Sequence, residues 1–290
     1  MAETALDRAK LRASFERASA SYESAARLQS SVAAELLERL AAFDFAPGVV
    51  LDLGCGPGRV SRELKERYPH SQVIALDLSA GMLREALRHL AAGRPFERVC
   101  GDALRLPLKD ASVDLIYSNL MLQWCEPLEG ALAEVRRVLK ASGFFAFSTF
   151  GPDTLHELRA SWAQADGYNH VNHFPDVHVV GDTLTRCGLM EPVLDIDRHE
   201  LDYPDALTLM RDLKAIGAHN VTAGRPRSLL GRERLERVQQ AYETFRRDSQ
   251  LPATYEVIYG ASWGASGRYA ATALGGVARI APGSIRRSQS

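Results

Sequence analysis

The chain has 290 residues, of which 46% are hydrophobic and 24% charged, and a formal net charge of −1. That length suits one large domain or a domain with a substantial insertion, and the composition excludes a disordered or fibrous chain. The near-neutral balance offers no basic excess for bulk nucleic-acid binding. Cys55, Cys100, Cys125 and Cys187 lack the C-x-x-C spacing of a zinc site or a disulfide framework, and no apolar run approaches the ~20 residues of a membrane span. The expectation is a cytoplasmic monomer with buried, reduced thiols and neither a nucleic-acid nor a membrane partner.

Residues 6–43 are rich in alanine and alternating charge and contain no proline. Phe15, Tyr22, Leu28, Val32, Leu36, Leu37 and Leu40 are the larger apolar members of two expected helices, and residues 1–44 are read as an N-terminal helical lid. Tyr22 suits either packing or a lid role. Pro47 and Gly48 break the helix. Val49, Val50 and Leu51 then read as a buried parallel strand that ends in Asp52. Glycine follows at every second position, Gly54, Gly56 and Gly58, where a turn can be tight and a ligand can lie against bare backbone. From Arg59 the pattern turns helical, with Val60, Leu64 and Tyr68 on one face. A second strand over 72–76 closes on Asp77, 19 residues beyond Gly58, where strand–turn–helix folds place an acid on ribose hydroxyls.

Ser79 is expected to cap a helix running to about residue 90. Val99 and Cys100 end a third strand, followed by Gly101, Asp102 and Ala103. Residues 115–118 form a fourth strand, and 119–124 (NLMLQW) lie beyond its carboxyl end, which is ligand ground in an open parallel sheet. A helix over 128–139, ended by Gly143, leads to a fifth strand over 144–149. The alternation argues an α/β fold, a doubly wound, mostly parallel seven-stranded Rossmann-like sheet. Past this point the chain departs from a minimal domain. A helix over 151–165 with Pro152 at its start, a helix over 176–187 and a strand over 192–201 are expected. Helices over 203–216 and 231–247 precede a final strand around 255–259. Segments 151–175 and 202–250 are read as cap insertions in a domain over 45–263, and 264–290 as a flexible tail. His170, His173 and His178 match no metal-ligand spacing, so no metal is expected.

The dinucleotide fingerprint asks for glycine at the sixth position, which here is Arg59. The pattern D-x-G-x-G-x-G resembles instead motif I of the Rossmann-like S-adenosylmethionine-dependent methyltransferases. An acid just before the loop suits a ligand with a cationic amino group better than a pyrophosphate. The segments FGPDTLHELR, DLKAIGAHN and LPATYEVIYG narrow the likeness. They resemble the malonyl-acyl-carrier-protein O-methyltransferases of biotin synthesis, over about 11–263. Respiratory complex I assembly proteins carry similar segments, which keeps a methyltransferase-like protein acting on a protein partner as an alternative, beside methylation of another small carboxylic acid.

The resemblance implies S-adenosyl-L-methionine as co-substrate. Its amino-acid end would lie by Asp52 and the loop of Gly54, Gly56 and Gly58, its ribose on Asp77 and its adenine by Asp102 and Ala103. Tyr22 and Asn119 complete the implied cofactor set. The implied acceptor is malonyl on acyl carrier protein, whose carboxylate is ionised near neutral pH and needs no general base. Arg159, Lys214 and Arg225 are candidates for holding that carboxylate. Arg227, Arg232 and Arg234, in the arginine-rich stretch 225–237, are candidates for docking an acidic carrier protein.

Overall fold

The computed structural model describes residues 6–43, 46–90, 95–218 and 231–265. Arg225, Arg227 and the expected tail beyond Ala265 fall outside these residues. Nine α-helices and seven strands are described, beginning with α1 (Arg8–Ala25) and α2 (Arg27–Ala41). The sheet unit follows as β1 (Val49–Leu53), α3 (Arg59–Arg67), β2 (Gln72–Asp77), α4 (Ala80–Glu85), β3 (Glu97–Cys100), β4 (Val113–Ser118), α5 (Leu128–Val138) and β5 (Leu139–Phe150). The remainder is α6 (His156–Ala165), α7 (Val177–Arg186), β6 (Met190–Tyr203), α8 (Ala206–Ala215), α9 (Arg232–Glu243) and β7 (Leu251–Trp263).

One seven-stranded sheet has the order β3-β2-β1-β4-β5-β7-β6. The pairs among β1 to β5 are parallel, and β7 runs antiparallel to both β5 and β6. Alternate residues of each strand feed opposite layers. Val50, Val73, Leu115 and Phe144 pack with Leu28, Val32 and Leu36 of α2, whereas Leu51, Ile74, Ile116 and Phe145 pack with Leu132 and Val135 of α5 and with Val180 and Leu184 of α7. Strands buried on both faces explain the near-continuous apolar runs read from the sequence.

Because β7 is antiparallel to its neighbours, Tyr203 at the end of β6 pairs with Leu251 at the start of β7, and Phe150 at the end of β5 pairs with Val257. Both long excursions, 151–176 and 204–250, therefore leave from the edge where β1, β2 and β4 also end. Their helices meet one another, α6 against α9 and α8 against α9, and α8 also packs on α1.

Several boundaries differ from expectation. Gly143 does not end a helix; it lies inside β5, where a side chain would meet Leu139 at 2.7 Å and the Asp114 carbonyl at 3.1 Å. Helix α6 starts at His156 rather than at Gly151, because residues 151–155 bond to β7 instead. Gly151 N–H donates to the Glu256 carbonyl and Leu155 N–H to that of Thr254. Helix α8 starts at Ala206, capped by Asp205, since Tyr203 still belongs to β6. Ser79 caps α4 as expected, accepting from Met82 N–H, although α4 gives way to a 3-10 turn after Glu85.

Candidate active site

Two adjoining cavities open at the carboxyl edge, enclosing with their open mouths about 710 and about 520 Å³. They share Tyr22, Gly54, Gly56 and Asn119. The glycine loop builds the floor. Gly54 and Cys55 N–H both donate to the Leu76 carbonyl, which folds the loop back over β2, and Gly58 N–H closes the turn on Cys55 O. All three glycines have positive φ, +79°, +53° and +80°, the region open to glycine at little cost.

Their surroundings separate them. A Cβ on Gly54 would sit 2.2 Å from Met121 Cγ, and one on Gly58 2.7 Å from Ala86 Cβ. A Cβ on Gly56 would meet only Tyr22, at 3.8 Å. Gly56 thus borders open cavity, while Gly54 is required by packing as well as lining the space. Gly58 lines neither cavity: it begins α3 in the left-handed conformation and seats the loop against Ala86 and Phe96.

Asp77 stands at the cavity floor. Its carboxylate accepts from Gly56 N–H at 2.9 Å and from Ser79 N–H at 2.8 Å, one bond on each oxygen. A carboxylate has about four acceptor positions, which leaves room for a further donor. Burial raises its pKa to about 6, against those two N–H groups, which lower it. Asp52, 2% exposed, lines the smaller cavity and accepts from Ser61 Oγ at 2.5 Å. Burial pushes it up to about 7, with Ser61 holding it down. Two carboxyl groups raised towards neutrality in adjoining hollows mark a site that gains from a cationic ligand.

Asp102 follows β3 and lines the larger cavity beside Ala103. It accepts from Leu104 N–H at 2.8 Å and pairs with Arg8 from α1. Asn119, beyond β4, is held by its amide: Nδ2 donates to the Gln29 carbonyl and Oδ1 accepts from Ser148 Oγ. The next residue, Leu120, takes φ +45°, a conformation that costs a branched side chain and clusters at functional sites. Burial, with Asp77 nearby, raises the Tyr22 hydroxyl well above its ordinary range, so it stays neutral. Cys125 is likewise pushed up to about 12, which makes it an inert wall rather than a nucleophile.

Apart from Tyr22, the outer wall escapes sequence reasoning. Arg8, Leu11, Phe15 and Tyr22 face the cavity from α1, and Gln29 and Ser30 from α2. Helical spacing puts the four α1 residues on one face, the signal that could have found them. Glu16 ties α1 down, accepting from Ser79 Oγ at 2.8 Å and Gly81 N–H at 2.7 Å and pairing with Arg84. Phe15 meets Trp124 edge-on at 5.4 Å. Arg59, the residue that breaks the dinucleotide fingerprint, lines the smaller cavity opposite Asp52 and donates to the Ser30 carbonyl.

Of the acceptor candidates, the described Arg159 and Lys214 are not brought to either cavity. Arg159 donates to the carbonyls of Pro152 and Thr154, with its Nε buried and unpartnered, and burial lowers its pKa. Lys214 is exposed on α8. On α9, Arg232 pairs with Glu236 at 2.9 Å and Arg234 lies 4.0 Å from Asp166. His170 stacks on Trp162 and sits 2.9 Å from Asp166. Among the described residues the one metal-like grouping is Glu35, Asp197 and His199; Glu35 is already engaged by Arg39 and the Tyr259 hydroxyl.

Known proteins share this fold. The family model described as a methyltransferase domain matches residues 51–147, the stretch from β1 into β5. Two solved structures share the fold at low identity. The YcgJ protein of Bacillus subtilis has a TM-score of 0.56 at 17% identity, covering 79% of this chain and 96% of that one. A phosphoethanolamine N-methyltransferase of Haemonchus contortus has a TM-score of 0.51 at 15% identity, covering 79% and 52%. Malonyl-[acyl-carrier protein] O-methyltransferases of Methylovorus sp. (strain MP688) and Laribacter hongkongensis (strain HLHK9) are 49% and 47% identical. The first alignment covers 91% of this chain and 92% of the relative, the second 89% of each. The chain therefore belongs to the malonyl-[acyl-carrier protein] O-methyltransferase family, and it is a methyltransferase.

Proposed function

We propose that this protein transfers a methyl group from S-adenosylmethionine to the free carboxylate of malonyl-acyl-carrier protein, giving the methyl ester that primes biotin synthesis. The observation that carries the reading is the paired cavity, in which Gly56 borders open space while Asp77, Asp102 and Asn119 converge from three strand ends. The residues present fit the cofactor. Asp77 has room for ribose hydroxyl donors, and Asp102 beside Ala103 can accept from the adenine amino group. Asp52 and Arg59 in the smaller hollow offer opposite charges to an amino-acid end. S-Adenosylmethionine, when bound, supplies an electrophilic methyl on a sulfonium.

A carboxylate acceptor arrives ionised, since carboxyl pKa values lie around 4. No side chain has to take a proton, so the chain's task is to align oxygen, methyl and sulfur and keep water out. Positioning of that kind supplies roughly 7–11 kcal/mol. Negative and positive charge cancel along the reaction coordinate, so a dry, capped hollow favours it. Helix α1 from the N-terminal lid and the insertions bearing α6, α8 and α9 are the segments read as that cap. Of the two described anchor candidates, Arg159 suits the role better: its guanidinium is half-buried and meets only carbonyls. Labelled methyl transfer to malonyl-carrier, with unloaded carrier and free malonate alongside, tests the reading. Label on malonyl-carrier alone is expected; label on the unloaded carrier would favour a protein-modifying enzyme.

A further inference from the structure

We infer that the carrier protein docks on the outer side of α1 and the adjoining end of α8, rather than on α9; the inference rests on the function proposed above and names the partner surface for that site. The ground is how the surface cations are spent. Stretch 225–237 is the arginine-rich part of the sequence, but its described arginines are matched by acids. Arg232 pairs with Glu236 at 2.9 Å, Arg237 with Glu233 at 3.6 Å, and Arg234 lies 4.0 Å from Asp166. Paired, solvated charges of this kind add little outward field.

On α1, Arg12 and Arg17 are exposed, and among the described residues neither has a carboxylate at ion-pair distance. Lys214 on α8 is exposed and, among the described residues, likewise unpaired. The two helices are packed side by side: Ser14 Oγ donates to the Gly217 carbonyl at 3.0 Å, and Ser21 Oγ to that of Ala215 at 2.9 Å. Lys10, Ser14, Arg17 and Ser21 fall on one side of α1 by helical spacing, so Arg17 lies along the seam with α8. Three of the acids nearby are spent. Glu16 is held by Ser79, Gly81 and Arg84, Asp7 by Lys10, and Asp212 lies 3.8 Å from Arg27. The inner face of the same helix, through Arg8, Leu11, Phe15 and Tyr22, is the cavity wall. Arg12 and Arg17 stand about 140° apart round the helix. They flank the exposed back of the helix that closes the site, Arg17 on the α8 side and Arg12 on the other. Uncancelled positive charge therefore borders that back, where an acidic carrier could dock while its flexible arm turns over the rim. Steering by such charges acts on association and fades with salt.

The test compares two double variants of the full chain, R12E/R17E and R232E/R237E, against wild type. Three quantities are measured for each: binding of malonyl-carrier by fluorescence anisotropy at low and high salt, cofactor binding by calorimetry, and turnover of a small malonyl thioester. The inference expects R12E/R17E to weaken carrier binding by about tenfold at low salt and by about twofold or less at high salt. Cofactor binding and small-thioester turnover should be unchanged, and R232E/R237E should stay within about twofold throughout. Loss confined to R232E/R237E would move docking to α9 and overturn the inference, as would unaltered carrier binding in both. Equal loss on carrier and small thioester would overturn it by showing a structural effect. Wild type that turns over no malonyl thioester at all would sink the functional reading itself, a result distinct from any of these.

Discussion

Along the ends of β1, β2 and β4 the polar groups are few, buried or half-buried and bonded within the fold, whereas along α9 they are many, exposed and mostly paired one helical turn away. Asp77 reaches Gly56 and Ser79 N–H, and Asn119 bridges Gln29 and Ser148. Arg232 and Arg237 answer Glu236 and Glu233. The first region is preorganised for a small ligand of fixed shape. The second is a solvated surface whose charges largely cancel, where single contacts contribute little. The corner between them is rigid: Glu157, fully buried, accepts from Thr254 N–H and its hydroxyl, and Glu256 accepts from Asp153 N–H.

The sharpest way to break this contrast is inside the glycine loop. Gly56→Val should abolish cofactor binding in calorimetry, because its side chain enters open cavity and meets only Tyr22. The positive φ costs about 1–2 kcal/mol in either valine variant. Gly54→Val should lose about 1–3 kcal/mol more in denaturant unfolding, since it must displace Met121. If both variants melt alike and both still bind, the loop is a structural turn and nothing else.

Asp77→Ala should rank next, weakening cofactor affinity by at least roughly tenfold, since charge-assisted bonds contribute about 1.5–3 kcal/mol each. An affinity that barely moves would remove Asp77 from the ribose role.

The pH dependence is smaller and has a definite sign. Asp77 and Asp52 are raised to about 6 and about 7, so the fold holds their protons more tightly than the unfolded chain does. Their contribution to the stability of the unliganded protein is fully present below the ordinary carboxyl range and is lost as pH rises through those values. A cationic ligand reverses the preference, because it needs the ionised forms. Cofactor affinity should therefore climb several-fold between about pH 5.5 and 7.5, and Asp52→Asn should flatten the upper part of that climb. A flat wild-type profile would mean that neither group faces the ligand.

The least effect is expected on the other side. Arg159→Ala should raise KM for the malonyl acceptor by a few-fold, leaving cofactor affinity unchanged. A change confined to cofactor affinity would remove Arg159 from the acceptor side.

Sequence reading succeeds where chemistry is local. Asp77 is placed by its distance from the glycines and Ser79 by its position before an apolar helical repeat; both stand where expected, Ser79 as a helix cap. It misses what depends on tertiary approach. Arg8 meets Asp102 across 94 positions of chain, and Glu16 meets Gly81 across 65; nothing local signals either pairing. The arginines of α9 illustrate the opposite case. Their density draws attention, while the i,i+4 glutamates that neutralise them lie in the same stretch, RERLER. Gly143 misleads, because a glycine after a helical repeat suits a cap as well as a close approach within a strand.

Delivery of methyl from this cavity to a carboxylate held on a carrier is the step proposed for the protein. The most direct measurement is carbon-13 NMR of malonyl-carrier after incubation with the protein and S-adenosylmethionine labelled at the methyl carbon. A single methyl-ester resonance on the malonyl group is the result the account predicts, absent when Gly56→Val replaces wild type. An N-methyl or C-methyl resonance, or no transfer by a protein that binds the cofactor, would contradict it.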